Sequence, residues 1–206
     1  MKLASETKLF IGIFVFTAFI IALAMIIMTR PAKPIAKDQL ILPTTYTKGL
    51  KDAPVWLVEF SDFQCLACKA FSAVVRDLVN KYPDKLLVAY RYFPLDIHPQ
   101  AIPSAIAAEA AGKQEKFWEM EQLLFANQDR FSDTLYTELA AQLGLDMNAF
   151  TTSIQDPATK QIVTNDTTYG NSIGISATPT FFLNGVKLSL FTPADLTKEV
   201  EKIILK

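Results

Sequence analysis

Histidine and cysteine are scarce in this sequence, with one histidine and two cysteines among 206 residues. Two cysteines exclude a small domain stapled by several disulfides, and with a single histidine they fall short of the four ligands a structural zinc site takes. Strong charge of either sign is missing as well. With 20 Lys+Arg against 21 Asp+Glu, the net charge of −1 leaves no broad basic field for a phosphate backbone, so nucleic acid is not an expected partner. Only 7 glycines and 11 prolines interrupt a chain that is 50% hydrophobic and 20% charged, which excludes a disordered protein. The expectation is one compact domain with an apolar core, plus a tail.

What the sequence does have is one long apolar run. Leu9 to Met28 (LFIGIFVFTAFIIALAMIIM) holds 20 residues without a charge. As a helix rising about 1.5 Å per residue it is roughly 30 Å long, the thickness of a bilayer's hydrocarbon. We read residues 9–28 as an N-terminal transmembrane helix. Ala22-Leu23-Ala24 has the small-x-small pattern of a signal-peptide cleavage site, but the run is long for a signal and continues past it. Lys2 and Lys8 before the run nearly balance Arg30, Lys33 and Lys37 after it, so the flanking charges do not set an orientation. Residues 30–38 contain Pro31 and Pro34 and read as an extended linker. Residues 1–38 are thus expected to be anchor and linker, and residues 39–206 a mildly acidic domain.

Within that domain Val55 to Phe60 reads as a short buried strand, followed by a loop and a helix with Phe71, Val74, Val75, Leu78 and Val79 at helical spacing. Tyr82-Pro83-Asp84 ends the helix, and Leu86 to Phe93 is a second strand, closing a βαβ unit. From about 100 to 156 the pattern is helical throughout: Ala101–Ala111, Glu115–Ala126, Ser132–Leu143 and a short turn over Met147–Ile154, with Ser132 and Ser153 placed to cap. A helix over Pro157–Ser172 follows. Then come a strand over Thr180–Leu183, an Asn184-Gly185 turn, a strand over Val186–Leu190 and a closing helix from Pro193.

Both cysteines fall in one motif, Cys65-Leu66-Ala67-Cys68, after a strand and at the start of a helix. Unpaired N–H groups and the positive end of the helix dipole favour a thiolate there, which makes Cys65 the more reactive sulfur. The first helical turn brings Cys68 back towards it. Haem attachment would require histidine where Lys69 stands, and a purely structural bridge over so short a loop adds little stability. A redox-active pair is favoured over a structural one.

Several segments in order, Asp52-Ala53-Pro54-Val55, Val58 to Cys65 (VEFSDFQC), Arg91 to Leu95 (RYFPL), Phe117 to Met120 (FWEM) and Ala177 to Phe182 (ATPTFF), resemble the DsbA-type thiol–disulfide oxidoreductases, especially membrane-anchored bacterial members. The resemblance runs from about Lys51 to the C-terminus. It implies an α/β thioredoxin fold with a helical insertion over about 100–156. It also implies that Glu59 lies beneath the buried cysteine and moves protons, and that Thr178-Pro179 forms a cis-proline loop whose Thr178 backbone pairs with an extended substrate. Leu66 replaces the proline usual in the motif and Ala67 a usually bulkier residue, which leaves the oxidising strength open. Phe63 and Gln64 flank Cys65 and are expected to border the substrate groove. The function expected is transfer of a disulfide to reduced or unfolded client proteins on the extracytoplasmic side of the cell membrane. The sulfurs need no bound cofactor or metal, and a quinone-reducing membrane partner, DsbB-like or vitamin-K-epoxide-reductase-like, would recycle them. A tethered reductase and a non-catalytic peptide-binding or chaperone module are the alternatives.

Four further features have plainer readings. His98 is a capping or surface residue. Glu109, Glu115, Glu119 and Glu121, with Lys113 and Lys116, mark a solvated helix face. Phe117, Trp118, Phe125 and Phe131 fill the space between helical block and sheet. Asn165-Asp166-Thr167 is only formally a glycosylation sequon.

Overall fold

The structure, a computed structural model, describes residues 5–28 and 33–206. The chain divides into two compact units, residues 1–33 and 34–206. In the first, helix α1 (Ser5–Met28) forms over the apolar run, which has no proline to break it. Its side chains from Phe10 to Leu23 are exposed. Lys2, Arg30 and Pro31 lie outside the described residues, as does the side chain of Ala24 in the small-x-small pattern. Among the described residues no helix is long and apolar enough to cross a membrane. The span expected over 9–28 therefore rests on the sequence and not on the fold.

The second unit begins earlier than expected. Ile35 N–H donates to Gly185 O at 2.9 Å, and residues 37–40, partly assigned to the linker, form a short helix α2 (Lys37–Leu40). The reason is Leu40, which is fully buried against Phe60, Phe182 and Ile175. A short strand that the pattern did not reveal, β1 (Tyr46–Gly49), follows. Four residues that follow Pro43 closely and end in Gly49 carry too little alternation to be seen.

Next come β2 (Val55–Ser61), α3 (Leu66–Lys81) and β3 (Leu86–Tyr92). The insertion comprises α4 (Ala101–Gly112), α5 (Phe117–Ala126), a tight turn of helix at Gln128–Arg130, α6 (Asp133–Gln142) and α7 (Met147–Gln155), with α8 (Pro157–Ser172) after it. Ser132 caps α6 as expected, accepting from Leu135 N–H at 3.2 Å. Ser153 does not cap; it lies inside α7. Asp146 and Asp156 cap α7 and α8 instead, and Pro157 at the first helical position fixes the second start. The chain ends with β4 (Thr180–Leu183), β5 (Val186–Lys187) and α9 (Pro193–Ile204). Asn184 and Gly185 take positive φ (48° and 81°), as a tight hairpin needs. β5 stops three residues short of the expectation, although Leu188 N–H still reaches Phe181 O at 2.9 Å.

The sheet runs β1-β3-β2-β4-β5, with β2 and β3 parallel and the remaining neighbours antiparallel. Period-two alternation sorts its faces. Val55, Leu57, Leu86, Val88, Phe181 and Leu183 meet α3 and α9 through Phe71, Val75, Leu196 and Val200. Val58, Phe60, Ala89 and Phe182 point the other way, towards Leu40. On that second face Arg91 is buried between the rings of Phe60 and Tyr169 and donates to Asp166 Oδ1 at 2.7 Å. Asp166, the middle residue of the formal sequon, is therefore a structural partner within α8. By the same alternation Glu59 and Ser61 continue the α3 face at the end of β2 nearest the cysteines.

Candidate active site

β2 ends at Ser61, and Asp62, Phe63 and Gln64 turn the chain into α3, for which Cys65 is the N-cap. The Cys65 side chain makes no capping bond; its S–H donates to the Thr178 carbonyl at 3.4 Å. Cys68, one turn on, is fully buried and accepts from Asp62 N–H at 3.5 Å. Both cysteines are free thiols. A hydrogen bond from the Cys68 thiol is the main force that lowers Cys65 to about 5, and the backbone N–H groups of Cys68 and Ala67 and the Thr178 side chain add to it against the cost of burial. The helix start thus helps, as expected, but the second sulfur contributes most. Cys68 moves the other way, far above the ordinary thiol range, through burial, the hydrogen bond it gives to Cys65 and the nearby charge of Glu59. One sulfur is held as a nucleophile and the other as its proton-bearing partner.

The Thr178-Pro179 bond is cis, and the loop before β4 lies against Cys65 through the Thr178 carbonyl. The Thr178 hydroxyl is buried and otherwise unpartnered, so it is available to the thiolate. Thr178 and Pro179 line a groove of about 350 Å³ with Ala67, Phe71, Leu190 and Phe191. Phe63 does not border it. Its ring is fully buried, stacked on Tyr90 at 5.2 Å, because the apolar space between sheet and insertion draws it inward. Gln64 is half-buried and accepts from Gln100 N–H at 2.6 Å, so it ties the site loop to α4 and is not among the residues lining the groove.

Glu59 lies opposite Tyr90 and Phe181 in the sheet register and is buried. Burial pushes its carboxyl up to about 7, the Ser61 hydroxyl opposes this and the Cys65 charge adds to it. Its Oε1 and the buried hydroxyls of Ser61 and Tyr90 form no well-aligned hydrogen bond among the described residues. An acid that exchanges its proton near neutrality thus shares the α3 face with Cys68, whose thiol feels its charge.

Three residues of the site carried no readable signal of their role. Asp62 accepts from Gln64 N–H (2.8 Å), Leu95 N–H (2.9 Å) and the His98 ring (Nδ1 at 2.7 Å), so His98 braces the active-site loop and is more than a surface residue. Only the bond from Gln64, an Asx-turn two residues on, has a local sequence signature. Gln128 donates through Nε2 to Phe63 O (2.6 Å) and Cys65 O (3.0 Å). The glutamates read as one solvated face separate: Glu115 and Glu119 are exposed, Glu109 is buried and accepts from Tyr92 OH at 2.9 Å, and Glu121 is half-buried.

A family model described as Thioredoxin matches residues 42–202. The chain belongs to the thioredoxin family. Among solved structures, the thiol-disulfide exchange protein alpha-DsbA2 of Wolbachia pipientis shares the fold, with TM-score 0.71 and 24% identity over 81% of this chain and 91% of that one. Alpha-DsbA1 of Wolbachia pipientis is similar at 27% identity and TM-score 0.70, over 80% of this chain and 93% of that one. The family, the insertion and the paired sulfurs make this a DsbA-like protein of the thioredoxin fold. A curated relative, the Na(+)/H(+) antiporter NhaA 1 of Mycolicibacterium vanbaalenii, is 35% identical over 145 residues, 69% of this chain and 24% of that protein. The chain thus spans about a quarter of the length of the curated relatives it matches. A stretch of 145 residues cannot fit in the segments flanking 42–202, so the shared part is thioredoxin-like.

Proposed function

We propose that the protein donates disulfides to reduced client proteins on the extracytoplasmic side of a membrane to which residues 9–28 anchor it. The observation that carries this reading is the opposed state of the two sulfurs, Cys65 acidic beside the Thr178 carbonyl and Cys68 buried as a thiol. A client thiolate attacks Cys65 of the Cys65–Cys68 disulfide, Cys68 leaves, and a second client thiolate releases Cys65 as the client's own disulfide forms. An extended client segment lies along the cis-proline loop by strand addition, beside the groove under Phe191. The low pKa of Cys65 favours the dithiol product and so the oxidising direction.

The membrane placement draws on the uncharged run of 20 residues in α1. It also agrees with a like domain in relatives named for exchanging Na(+) and H(+), although that ion exchange is not proposed for this chain. An anchor holds the enzyme near a membrane redox partner, DsbB-like or vitamin-K-epoxide-reductase-like, at high effective concentration. Equilibration of the full chain with glutathione buffers tests the direction. A potential well above thioredoxin's, about −270 mV, is expected, and one at or below it favours a reductase. Cys68→Ser should trap clients on Cys65 as mixed disulfides; clients bound without a covalent link would instead indicate a binding module.

A further inference from the structure

Glu59 needs a route for its proton. Its carboxyl and the hydroxyls of Ser61 and Tyr90 are buried together with unpartnered oxygens, and no direct hydrogen bond carries them to solvent. On α5, Glu121 is half-buried and lines a narrow cleft with Lys48 of β1, Ser72 and Arg76 of α3, and Trp118. The accessible volume of the cleft is about 10 Å³, roughly the room that a single water takes. Glu121 stands one turn along α5 from Phe117, whose ring packs edge-on against Tyr90 at 5.2 Å, and Tyr90 lies opposite Glu59 in the sheet register. In that position burial first and the charge of Glu59 second push its carboxyl up to about 8, against the weaker pull of Arg76 and Lys48. Its own charge is felt in turn at Tyr90 of β3. The groups facing it are thus Glu59, Tyr90, Arg76 and Lys48, with Cys68 beyond Glu59.

We propose that Glu121 is the second station of a proton path from Cys68 through Glu59 to the cleft, so that the helical insertion delivers protons to the buried sulfur. The path rests on the thiol–disulfide reading above. When a client thiolate attacks Cys65 Sγ, the Sγ–Sγ bond breaks and its electron pair leaves on Cys68. Glu59 gives that sulfur its proton, Glu121 reprotonates Glu59, and water in the cleft restores Glu121. In re-oxidation the path reverses. Cys68 passes its proton to Glu59 as its sulfur attacks Cys65 in a mixed disulfide with the acceptor, and the acceptor's thiolate leaves.

The test is single-turnover oxidation of the reduced full chain by oxidised glutathione, following the concentration-independent phase in which Cys68 attacks the Cys65 mixed disulfide. Rates are measured across the neutral range for wild type, Glu121→Gln, Glu121→Asp and Glu119→Gln. Glu121→Gln should slow this phase about tenfold near neutrality and change its pH profile. Glu121→Asp should restore most of the rate. Glu119→Gln, which removes an exposed carboxylate paired with Lys116, should follow wild type. A Glu121→Gln profile that overlays wild type overturns the proposal, as does an equal loss in the Gln and Asp variants that tracks a fall in melting temperature. If wild type itself shows no exchange, the redox reading fails and the path fails with it.

Discussion

Cys65 illustrates how a correct expectation can carry an incomplete cause. From the sequence, a thiol at the start of a helix is acidic because backbone N–H groups face it. In the structure the larger stabilisation comes from the Cys68 thiol, with the backbone second. The two accounts separate in one variant. Cys68→Ala leaves α3 in place and removes the thiol donor, so the Cys65 titration, followed by thiolate absorbance, should move up from about 5 by about one pH unit or more. An unmoved midpoint would return the credit to the helix. Glu59 gives a second residue-scale prediction, with the sign set by burial. Its carboxyl rises from 4.5 to about 7 on folding, so the folded protein takes up a proton between those values. Its contribution to stability is whole below about 4.5 and is lost as pH rises through about 7. Glu59→Gln should therefore stabilise the protein above neutrality by on the order of 1–3 kcal/mol while slowing exchange at least about tenfold. Chemical denaturation above neutral pH that shows no gain would contradict a buried, raised carboxyl.

At the scale of elements, what was legible is what repeats locally. The apolar positions of β2, α3 and β3, the Asn184-Gly185 hairpin and the helical insertion all announce themselves by periodicity or turn chemistry, and they stand where the pattern puts them. The parts that escaped depend on partners far along the chain. β1 exists because Tyr46 to Gly49 pair with Leu87 to Tyr90, and Phe63 turns inward because Tyr90 and Phe125 receive it. Gln128 is the clearest example, since 65 residues separate it from the carbonyl of Phe63 that it holds. It stitches the insertion to the active-site loop with two donated bonds while its own Oε1 is buried without a partner. Gln128→Ala should cost about 1–3 kcal/mol, and amide exchange of residues 62–66 should quicken while β2 and β3 remain protected. Gln128→Glu should be worse than Ala, because a carboxylate offers no donor to two carbonyls. If both variants leave loop exchange unchanged, the stitch has no role in ordering the site.

For the whole molecule, the state of one sulfur becomes a difference between two forms of the fold. Only the dithiol form has a Cys65 thiol to ionise, so the stabilisation from its lowered pKa belongs to the reduced protein alone. The sign follows from the direction of the shift. Cys65 falls from 9 to about 5 on folding, so its contribution is whole above 9 and is lost as pH falls through about 5. Any stability that the short disulfide loop gives the oxidised form does not depend on pH in this window and drops out of the comparison. Measured by denaturation of the full chain in detergent, the stability of the reduced form relative to the oxidised form should fall by about 2 kcal/mol between neutrality and pH 5. Because the same energy drives the enzyme's disulfide onto clients, the reduction potential should shift in parallel over that window. A reduced-minus-oxidised difference that stays level would mean that Cys65 carries no charge near neutrality, and the proposed direction of transfer would lose its driving force.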